Sequence, residues 1–421
     1  MQVWIVEATE PLPVLDGAFR DLRCGMLSKA LVAQGHEVIW WTSTFNHEKK
    51  KHRFDTARTI NLQTGLQLRL LHGPGYDRNN SPLRLWHHRV VADSFARAAA
   101  VAPVKPDVVF CCLPTIELSE KAVAYGEEIS VPVIVDVRDL WPDLYLTMFP
   151  PRLRSLARRV LAPEFRRVTR IFRAAAGITA VSRTFLDWAL AHAKRSRQDT
   201  DGVFPLGYPT QITDSDAIDA QVTRLQTEYG IGCNTLVVTF AGTFGASYDL
   251  ETVIQVARVL QSSDISSKIK LIVAGDGDNG VRLREMARGL QNVVFTGWLD
   301  QNSILALLRL SSVGLAAYTE EALQSLPNKP FEYMAAGLPL LSSLRGELAA
   351  LIRDEEIGIQ YPPGDVFALI EGIRWFLFHP DTRLAMGLRA RRLFEERFSA
   401  EVVYPRLIQH LEKIASLPDT K

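Results

Sequence analysis

The sequence predicts an α/β fold with two parallel sheets, and three observations carry that prediction. The chain has 421 residues, which is more than a single core usually holds. In both halves, short apolar segments rich in β-branched residues alternate with longer segments of helical spacing. The alternation restarts at Leu236, after a polar and turn-rich stretch from Gln198 to Asp219. We therefore expect two domains, residues 1–205 and 206–399.

The N-terminal domain begins with a strand, a helix and a second strand, which predicts a parallel βα arrangement. The connection after the first strand holds Asp16 and Gly17, and a single glycine there is typical of a plain turn. The predicted elements of this half are Val3–Val6, Phe19–Gln34, Glu37–Thr42, Asp107–Cys111, Val133–Val137, Gly177–Val181 and Arg183–Ala193.

The C-terminal domain repeats the same alternation without a visible sequence repeat. Its predicted strands are Leu236–Phe240, Lys270–Ala274, Val293–Thr296, Val313–Ala317 and Leu338–Ser342, and two of its predicted helices are Ser303–Leu310 and Phe331–Ala336.

Charge is distributed unevenly along the chain, although the net charge is only +1. Division after Pro205 gives a net charge of +7 for the N-terminal part and −6 for the C-terminal part. This asymmetry predicts that one half faces an anionic surface or substrate. No nucleic-acid-binding motif accompanies the basic residues, so we predict no nucleic-acid partner.

The four cysteines, Cys24, Cys111, Cys112 and Cys233, have neither metal-ligand spacing nor the pattern of a small disulfide-linked domain. We therefore predict reduced thiols and no metal site. The first residues lack the features of a signal peptide, and no uncharged apolar run reaches transmembrane length. The expected location is the cytoplasm, with peripheral association with the inner face of the plasma membrane as an option.

The stretch Ser325–Pro339 is predicted to be a loop that delivers the start of a short helix to a ligand. Pro327 and Pro330 oppose a helix before about position 330, but Pro330 suits a first helical turn because its missing N–H has no helical partner there. Nothing opposes a helix from Phe331 onward. Gly337, with a proline two residues later, is a typical helix end. So short a helix buries little surface, which places its expected role at its start.

Lys329 and Glu332 give the start of this helix its chemistry. Free backbone N–H groups and the macrodipole favour phosphate at a helix N-terminus, and Lys329 adds a full positive charge. Glu332 is predicted in the first turn, where its carboxylate suits neutral hydroxyls such as a ribose diol. The simpler interpretation is a capped surface helix with a solvated lysine and glutamate.

The strand predicted at Lys270–Ala274 ends in Gly-Asp-Gly-Asp-Asn-Gly, residues 275–280, which satisfies the dinucleotide-binding pattern G-x-G-x-x-G. That pattern is typical of NAD-dependent oxidoreductases. Its place deep in the second half, away from an opening βαβ unit, argues against such a function.

Four short motifs follow one another along the chain, in the order Gly-His-Glu-Val, Gly-Asp-Gly, Phe-Thr-Gly-Trp and Pro-Asn-Lys-x-x-Glu-Tyr-Met. In this order the chain resembles the retaining glycosyltransferases of family 4, especially bacterial enzymes that build surface polysaccharide. The resemblance covers essentially the whole chain. It implies the GT-B fold, in which two facing Rossmann-like domains enclose a cleft. It also implies that the last helix, at about 400–416, crosses back to the N-terminal domain.

The resemblance assigns a nucleotide-sugar donor mainly to the C-terminal domain. Arg282 would reach the donor phosphates, and Trp298 would stack near the nucleotide base. The sequence departs from the family twice: Gln324 stands where a glutamate is usual, and the loop Gly-Thr-Phe-Gly-Ala-Ser-Tyr-Asp lacks its usual basic residue. The implied donor-binding residues are Gly17, Gly242, Thr243, Gly275, Gly277, Arg282, Trp298, Gln324, Leu326, Pro327, Asn328, Lys329 and Glu332.

The strand at Val133–Val137 runs directly into Arg138 and Asp139, at an edge where ligands of open α/β sheets bind. Family members often carry a catalytic histidine there, so Asp139 is our preferred acceptor base. The alternative is a structural ion pair between Arg138 and Asp139. The predicted catalytic residues are Asp139, Glu332 and Lys329, and the predicted acceptor-side residues are Asp16 and Arg138.

The segment Pro151–Ala176 contains eight arginines, no lysine and one acidic residue. Basic amphipathic helices of this kind lie on anionic membranes or bind a diphosphate-linked lipid. We therefore predict an anionic membrane surface as a partner of Arg152 to Arg173. An ordinary amphipathic helix with solvated arginines is the open alternative.

These features predict a retaining enzyme that moves a hexosyl or N-acetylhexosaminyl group from a nucleoside-diphosphate sugar, with UDP preferred by analogy. The expected acceptor is a glycan or a polyprenyl-diphosphate-linked sugar. No metal or other cofactor is expected, because phosphate contacts stabilise the leaving group. Two alternatives remain open: an NAD-dependent oxidoreductase using residues 275–280, and a non-catalytic protein that binds a nucleotide sugar or lipid diphosphate.

Overall fold

The computed structural model describes residues 1–17, 20–79, 81–210 and 215–417. The chain divides into two compact units: unit 1 is Met1–Pro205 with Val403–Lys421, and unit 2 is Leu206–Val402. Each unit is built on a predominantly parallel sheet with helices packed against it. The predicted α/β class is therefore confirmed, and the architecture is consistent with two Rossmann-like domains.

Unit 1 contains an eight-stranded sheet and a separate two-stranded one. The strands are β1 Gln2–Val6, β2 Glu37–Ser43, β3 Phe45–Asn46, β4 Lys51–His52, β5 Arg58–Gln63, β6 Leu66–Leu71, β7 Val108–Leu113, β8 Val133–Val137, β9 Gly177–Ala180 and β10 Gly202–Val203. The helices are α1 Pro13–Asp16, α2 Arg23–Ala33, α3 Pro82–Ala100, α4 Ile116–Ile129, α5 Asp143–Thr147, α6 Arg154–Val160, α7 Ala162–Ala174 and α8 Arg183–Ala193, with a 3₁₀ turn at Pro151–Leu153.

The large sheet of unit 1 has the order β10-β9-β8-β7-β1-β2-β6-β5 and is parallel except for β5. The chain places β2 on one side of β1 and β7 on the other. The strand order therefore reverses between β1 and β7, which is where ligands of such sheets bind. Trp4 on β1 anchors the core, with its ring 5.0 Å from that of Trp41 and 5.3 Å from that of Tyr125.

Unit 2 contains a six-stranded, fully parallel sheet of order β13-β12-β11-β14-β15-β16. The strands are β11 Leu236–Ala241, β12 Ile269–Ala274, β13 Val293–Gly297, β14 Val313–Ala316, β15 Leu340–Ser342 and β16 Gly358–Gln360. The helices are α9 Ser215–Glu228, α10 Leu250–Gln261, α11 Gly280–Met286, α12 Gln301–Leu310, α13 Asn328–Ala335, α14 Glu347–Asp354, α15 Val366–Phe378 and α16 Pro380–Arg397, with a 3₁₀ turn at Ser266–Lys268. The last helix, α17 Ala400–Ala415, begins in unit 2 and continues into unit 1.

Both faces of the unit 2 sheet are buried. Along β11, Val237 packs into one apolar core, whereas Leu236 and Val238 pack into another. Successive side chains of a strand point to opposite faces, so the two cores cover the two sides of the sheet. The strand order reverses between β11 and β14, which makes the carboxyl ends of these strands the expected ligand position.

Some element boundaries differ from those predicted. The first long helix begins at Arg23, and Phe19, where we expected it to begin, lies outside the described residues. Helix α13 begins at Asn328, so Pro330 is its third residue. The first N–H groups of a helix have no helical acceptor, and Pro330 is therefore tolerated.

Helix α17 belongs to both units, because its residues from Val403 onward fall in unit 1. Within unit 1, His410 Nε2 lies 3.1 Å from the carbonyl oxygen of Thr200, and Glu412 lies 3.1 Å from His36. Among the described residues, no helix combines the length and the apolar content needed to cross a bilayer.

Candidate functional site

Two loops meet at the strand reversal of the unit 2 sheet. The loop after β11 and the loop after β14 are joined by a backbone hydrogen bond of 3.0 Å from Thr319 to the Ser247 carbonyl. The rings of Tyr248 and Tyr318 pack 4.9 Å apart, and the Gln324 amide reaches the Ser247 hydroxyl at 3.4 Å. These contacts form a fixed platform at the carboxyl edge of the sheet.

Lys329, the second residue of α13, brings a positive charge to this platform. Its ammonium donates to the Tyr248 hydroxyl at 2.7 Å and lies 4.0 Å from the Tyr248 ring centroid. A Cβ placed on Gly242 would lie only 2.1 Å from Lys329 Nζ, so a side chain at that position would displace the ammonium from its present place. The loop after β11 has no basic residue of its own, and Lys329 supplies one from another element.

The glycines at 275 and 277 serve contacts between loops. A Cβ on Gly275 would lie 2.0 Å from the Gly242 carbonyl oxygen, and one on Gly277 would lie 2.8 Å from the Phe244 nitrogen. The Phe244 N–H donates to the Asp276 carbonyl at 2.9 Å, which closes the contact. A dinucleotide fingerprint needs its glycines to admit a pyrophosphate, whereas here they admit a neighbouring protein loop.

Helix α13 is fixed to the sheet by Tyr333. The Tyr333 hydroxyl accepts from the Ala241 N–H at 3.0 Å and donates to the Leu315 carbonyl at 3.2 Å, so it ties α13 to β11 and β14. Glu332 precedes it and is half-buried. Because α13 begins at Asn328, Glu332 lies in the second turn, and its predicted place in the first turn was wrong.

Leu326, Pro327 and Asn328 form the entry to α13. Leu326 is buried in the core, Pro327 occupies the N-cap position, and Asn328 is the first helical residue. Gln324, just before them, has a buried side-chain oxygen with no hydrogen-bond partner among the described residues. A buried, unsatisfied amide oxygen favours a ligand that carries a hydroxyl donor.

Three other predicted donor residues lie on the surface of unit 2. Arg282 on α11 forms an exposed ion pair with Glu251, at 3.0 Å. Thr243 is exposed, and Trp298, directly after β13, keeps 67% of its surface open to solvent. The arginine that does reach the loop after β12 is Arg284, which binds Asp276 at 2.7 Å and which the sequence analysis did not single out.

The corresponding edge of unit 1 holds Arg138 and Asp139, just after β8. Arg138 pairs with Glu10 at 2.5 Å, so the alternative of an Arg138–Asp139 ion pair is wrong. Asp139 accepts a 2.9 Å hydrogen bond from the Leu140 N–H, and burial raises the pKa of its carboxyl. A carboxyl group with a raised pKa is suited to take up a proton.

Comparisons with known proteins agree with this geometry. Residues 235–378 match the family model described as glycosyl transferases, group 1. The chain carries a glycosyltransferase group 1 domain. The matched segment contains the whole platform at the reversal of the unit 2 sheet, including Gly242, Tyr248 and Lys329.

A curated relative is the O-antigen chain mannosyltransferase C of Escherichia coli, which is 29% identical over 147 residues. The match covers 34% of this chain and 39% of the relative, or about two fifths of the relative's length.

Three solved structures share the fold of the whole chain. HepE from Anabaena in complex with UDP and glucose has a TM-score of 0.69 and 13% identity, covering 98% of this chain and 100% of its own. Sucrose-phosphate synthase from Thermosynechococcus elongatus (TM-score 0.69, 17% identity) and WaaG, a glycosyltransferase involved in lipopolysaccharide biosynthesis (0.66, 15%), each cover 98% of this chain and 99% of their own. These likenesses establish the GT-B fold.

Glu10 is a residue of the unit 1 edge that was not predicted from the sequence. Its carboxylate accepts from the Cys24 N–H at 3.0 Å, at the start of α2, and binds Arg138. Burial raises the pKa of Glu10, while the Arg138 charge acts in the opposite direction. No local motif marks Glu10, because Arg138 lies 128 residues away in the sequence.

Asp16 and Gly17 have structural roles in unit 1. Asp16 is buried and binds the Arg53 guanidinium through both carboxylate oxygens, at 2.8 and 2.6 Å. Burial acts to raise the pKa of Asp16, but hydrogen bonds from Arg53 and the backbone outweigh it and hold the pKa below its usual value. Gly17 ends α1 with a φ of +79°. The structure therefore gives Asp16 an internal partner rather than an open face.

A cluster of histidines near the same edge also escaped the sequence analysis. His47 lies 2.5 Å from the Tyr76 hydroxyl, and His87 and His88 pack against the same tyrosine ring. Burial lowers the pKa of His47 to about 3, that of His87 to about 4 and that of His88 to about 2, so all three are neutral at pH 7. Within the described ranges, no group of three or more His, Cys, Asp or Glu side chains is arranged to hold a metal ion.

Proposed function

We propose that this protein is a retaining glycosyltransferase of family 4. It transfers a hexosyl or N-acetylhexosaminyl group from a nucleoside-diphosphate sugar, with UDP as the nucleotide, to a glycan or a polyprenyl-diphosphate-linked acceptor. The group 1 domain and the GT-B fold support the reaction class. UDP and glucose in HepE support the donor, and the names of the mannosyltransferase and of WaaG support a role in surface polysaccharide.

The observation that carries this proposal is the position of Lys329. An ammonium group held at the strand reversal of a parallel sheet, beside a glycine that leaves room for it, is suited to a phosphate. The family's usual basic residue is missing from the loop after β11, and Lys329 places its charge in contact with that loop. The diphosphate is therefore assigned to Gly242, Lys329 and the neighbouring backbone N–H groups.

Charge stabilisation is the main catalytic contribution in this proposal. Negative charge develops on the departing nucleoside diphosphate, and a preorganised cation stabilises it without further reorganisation. Glu332 and Gln324 accept hydrogen bonds from hydroxyls of the donor. Asp139, or the leaving phosphate itself, takes the proton from the acceptor hydroxyl. The proposed reaction needs no metal.

The acceptor and the location are part of the same proposal. A polyprenyl-diphosphate-linked acceptor resides in a membrane, so the enzyme acts at the inner face of the plasma membrane. The basic segment from Arg152 to Arg173 supports this placement.

Isothermal titration with UDP, GDP, ADP and NAD tests the donor site, using the Lys329→Met variant and, as a control, Lys270→Met. Lys270 lies on β12 of the same unit, and its ammonium donates to the Gln291 carbonyl at 3.1 Å. We expect UDP to bind, and Lys329→Met to weaken it by about 1.5–3 kcal/mol, or ~10- to 150-fold, as for a lost hydrogen bond to a charged group. Lys270→Met should bind UDP like the unchanged protein.

Equal UDP affinity in both variants would remove Lys329 from the site, and binding of NAD alone would favour an oxidoreductase. Turnover separates the enzyme from a non-catalytic binding protein. We expect Asp139→Asn to lower kcat while it leaves UDP affinity unchanged, because Asp139 has no role in nucleotide binding here.

A further inference from the structure

A groove of about 930 Å³ opens on unit 1 along α7 and α8. Its volume is within the range of small-molecule sites. Basic side chains dominate its rim: Arg166, Arg170 and Arg173 from α7, and Lys194 directly after α8. The groove belongs to neither of the two sheet edges described above.

The aromatic lining of the groove is held by hydrogen bonds. The Trp188 indole donates to Asp143 at 3.0 Å, and His192 Nε2 lies 3.1 Å from the same carboxylate. The ring of Phe165 stacks on that of His192 at 5.7 Å, and the Arg158 guanidinium lies 4.4 Å from the Phe165 centroid. The lining is therefore a preorganised surface, not a chance gap between helices.

The rim carries unneutralised positive charge. Arg170 pairs with Glu120 at 3.1 Å, but Arg166, Arg173 and Lys194 form no ion pair with an acidic group among the described residues. Arg166, Arg170 and Arg173 recur at helical spacing, so they share one face of α7. Arg173 Nε donates to the Ala193 carbonyl at 2.9 Å, which directs its charge toward Lys194 at the end of α8. Positive charges gathered on one rim favour a phosphate-bearing ligand.

An exposed apolar ridge, Met148, Phe149, Leu153, Leu156 and Val160, precedes the groove in the chain. These side chains keep 41–72% of their surface exposed. Three of these residues, Leu153 at the N-cap of α6 and Leu156 and Val160 within it, follow helical spacing and share one face. Arg158 on the same helix lines the groove, so the ridge and the groove adjoin. So many exposed apolar side chains in one short segment mark an interaction surface.

We propose that the groove and the ridge form one membrane-docking surface. The groove binds the phosphate of an anionic glycerophospholipid headgroup, and the ridge enters the boundary between headgroups and acyl chains. Both parts are needed for this assignment. A soluble polyanion would use the positive charges but would leave the apolar ridge without a role, whereas a lipid uses both. The inference rests on the membrane placement in the proposed function and extends it from the Arg152–Arg173 segment to α8. The proposed reaction itself is tested separately, by UDP binding and turnover.

Co-sedimentation with vesicles tests the proposal, with phosphatidylcholine vesicles that do or do not contain phosphatidylglycerol. The groove variant is Arg166→Gln/Arg173→Gln/Lys194→Gln. The charge-matched control is Lys51→Gln/Arg58→Gln/Arg97→Gln, whose three exposed residues lie elsewhere in unit 1 and form no ion pair with an acidic group among the described residues. Removing three charges near the surface should weaken binding to the anionic vesicles by about 100-fold. The control should retain most of the binding.

The ridge variant, Leu153→Ser/Leu156→Ser/Val160→Ser, tests the apolar part. We expect it to weaken vesicle binding while it leaves binding of inorganic pyrophosphate, measured by calorimetry, unchanged. If the ridge variant sediments with vesicles like the unchanged protein, the groove is a site for a soluble polyanion and the membrane proposal is wrong. If the groove variant behaves like its charge-matched control, the proposal is also wrong. UDP binding is a separate measurement, so failure here leaves the donor site untouched.

Discussion

The two units place their strand reversals at comparable sheet edges but fill those edges differently. In unit 1, paired charges occupy the edge: Glu10 binds Arg138, and Asp16 binds Arg53. In unit 2, the loops after β11 and β12 meet through glycine backbone, and the Lys329 ammonium lies against the loop after β11. Sheets with the same kind of strand reversal thus carry ion-paired side chains at this edge in one unit and closely packed loop backbone in the other.

The difference has a physical cause. A buried charge must be paired and hydrogen-bonded, so the carboxylates of unit 1 have their partners inside the protein. Glycine removes the side chain between a ligand and the backbone, and so makes room for anions at loop N–H groups and nearby cations. Ion pairs stabilise the unit 1 edge in one geometry, whereas the glycines of the unit 2 edge let the two loops and the Lys329 ammonium approach one another closely.

The largest expected effect follows from breaking the ion pair of unit 1. Arg138→Met leaves the Glu10 carboxylate buried without its cation, which should destabilise the protein by about 3–5 kcal/mol at pH 7. Urea unfolding followed by tryptophan fluorescence measures this, since most tryptophans lie in unit 1. Burial raises the pKa of Glu10 above its unfolded value. The penalty is therefore present above the unfolded pKa and shrinks as the pH falls and Glu10 binds a proton.

The double variant Glu10→Gln/Arg138→Met is the control for this experiment. It removes both charges, so it should be more stable at pH 7 than Arg138→Met alone. Equal stability of the two variants, or a penalty in Arg138→Met that does not diminish at acidic pH, would show that the pair does not stabilise the edge.

An intermediate effect is expected from closing the platform of unit 2. In Gly242→Ala, the new Cβ collides with the Lys329 ammonium, and the φ of +149° disfavours a side chain. UDP affinity should fall about tenfold, or 1.4 kcal/mol. Gly245→Ala in the same loop is the matched control, because its Cβ would meet nothing within 4 Å.

A double-variant cycle sharpens this prediction. If Gly242→Ala acts by displacing the ammonium, then adding it to Lys329→Met should cause little further loss of UDP affinity. Fully additive losses would mean that Gly242 matters for a reason other than the space it leaves for Lys329.

The smallest effect is expected at Arg282. Its guanidinium is exposed and paired with Glu251, and such surface pairs contribute roughly 0–1 kcal/mol to stability. Arg282→Gln should therefore change both the unfolding midpoint and UDP affinity only slightly, as measured by thermal unfolding and calorimetry. A tenfold loss of UDP affinity would instead place Arg282 among the donor-phosphate contacts that the family resemblance implies.

The sequence predicted the elements whose burial is visible in local patterns. Strands β8 and β11 are apolar except for one residue each, Asp136 and Thr239, and the structure buries every residue of both. Strand β5 was missed, because it lies at the sheet edge with mostly exposed residues and leaves no apolar run. Helix α13 was predicted too short, because its start was placed at about Pro330, whereas Pro330 is the third residue of the first turn, where a missing N–H is also harmless.

Residues of the candidate site could be predicted only where a short stretch of sequence marks them. Lys329 stood out because it starts a helix, but its contact with Gly242 joins residues 87 positions apart and has no local signature. Glu10 and Arg138 are similarly distant, so the partner of Arg138 was assigned to the neighbouring Asp139 as one alternative. Side-chain contacts between residues far apart in the chain depend on the order of the strands in the sheet, and no single segment of the sequence determines that order.

The hydrogen bond between the Ala241 amide and the Tyr333 hydroxyl can report on the docking of helix α13 against the sheet. The Ala241 amide is at the end of a strand, yet its acceptor is a side-chain hydroxyl from α13 instead of a neighbouring strand. Any excursion that lifts α13 from the sheet exposes this amide to solvent. The rate at which the Ala241 amide proton exchanges with deuterium therefore measures how often α13, the helix that carries Lys329 and Glu332, separates from the sheet.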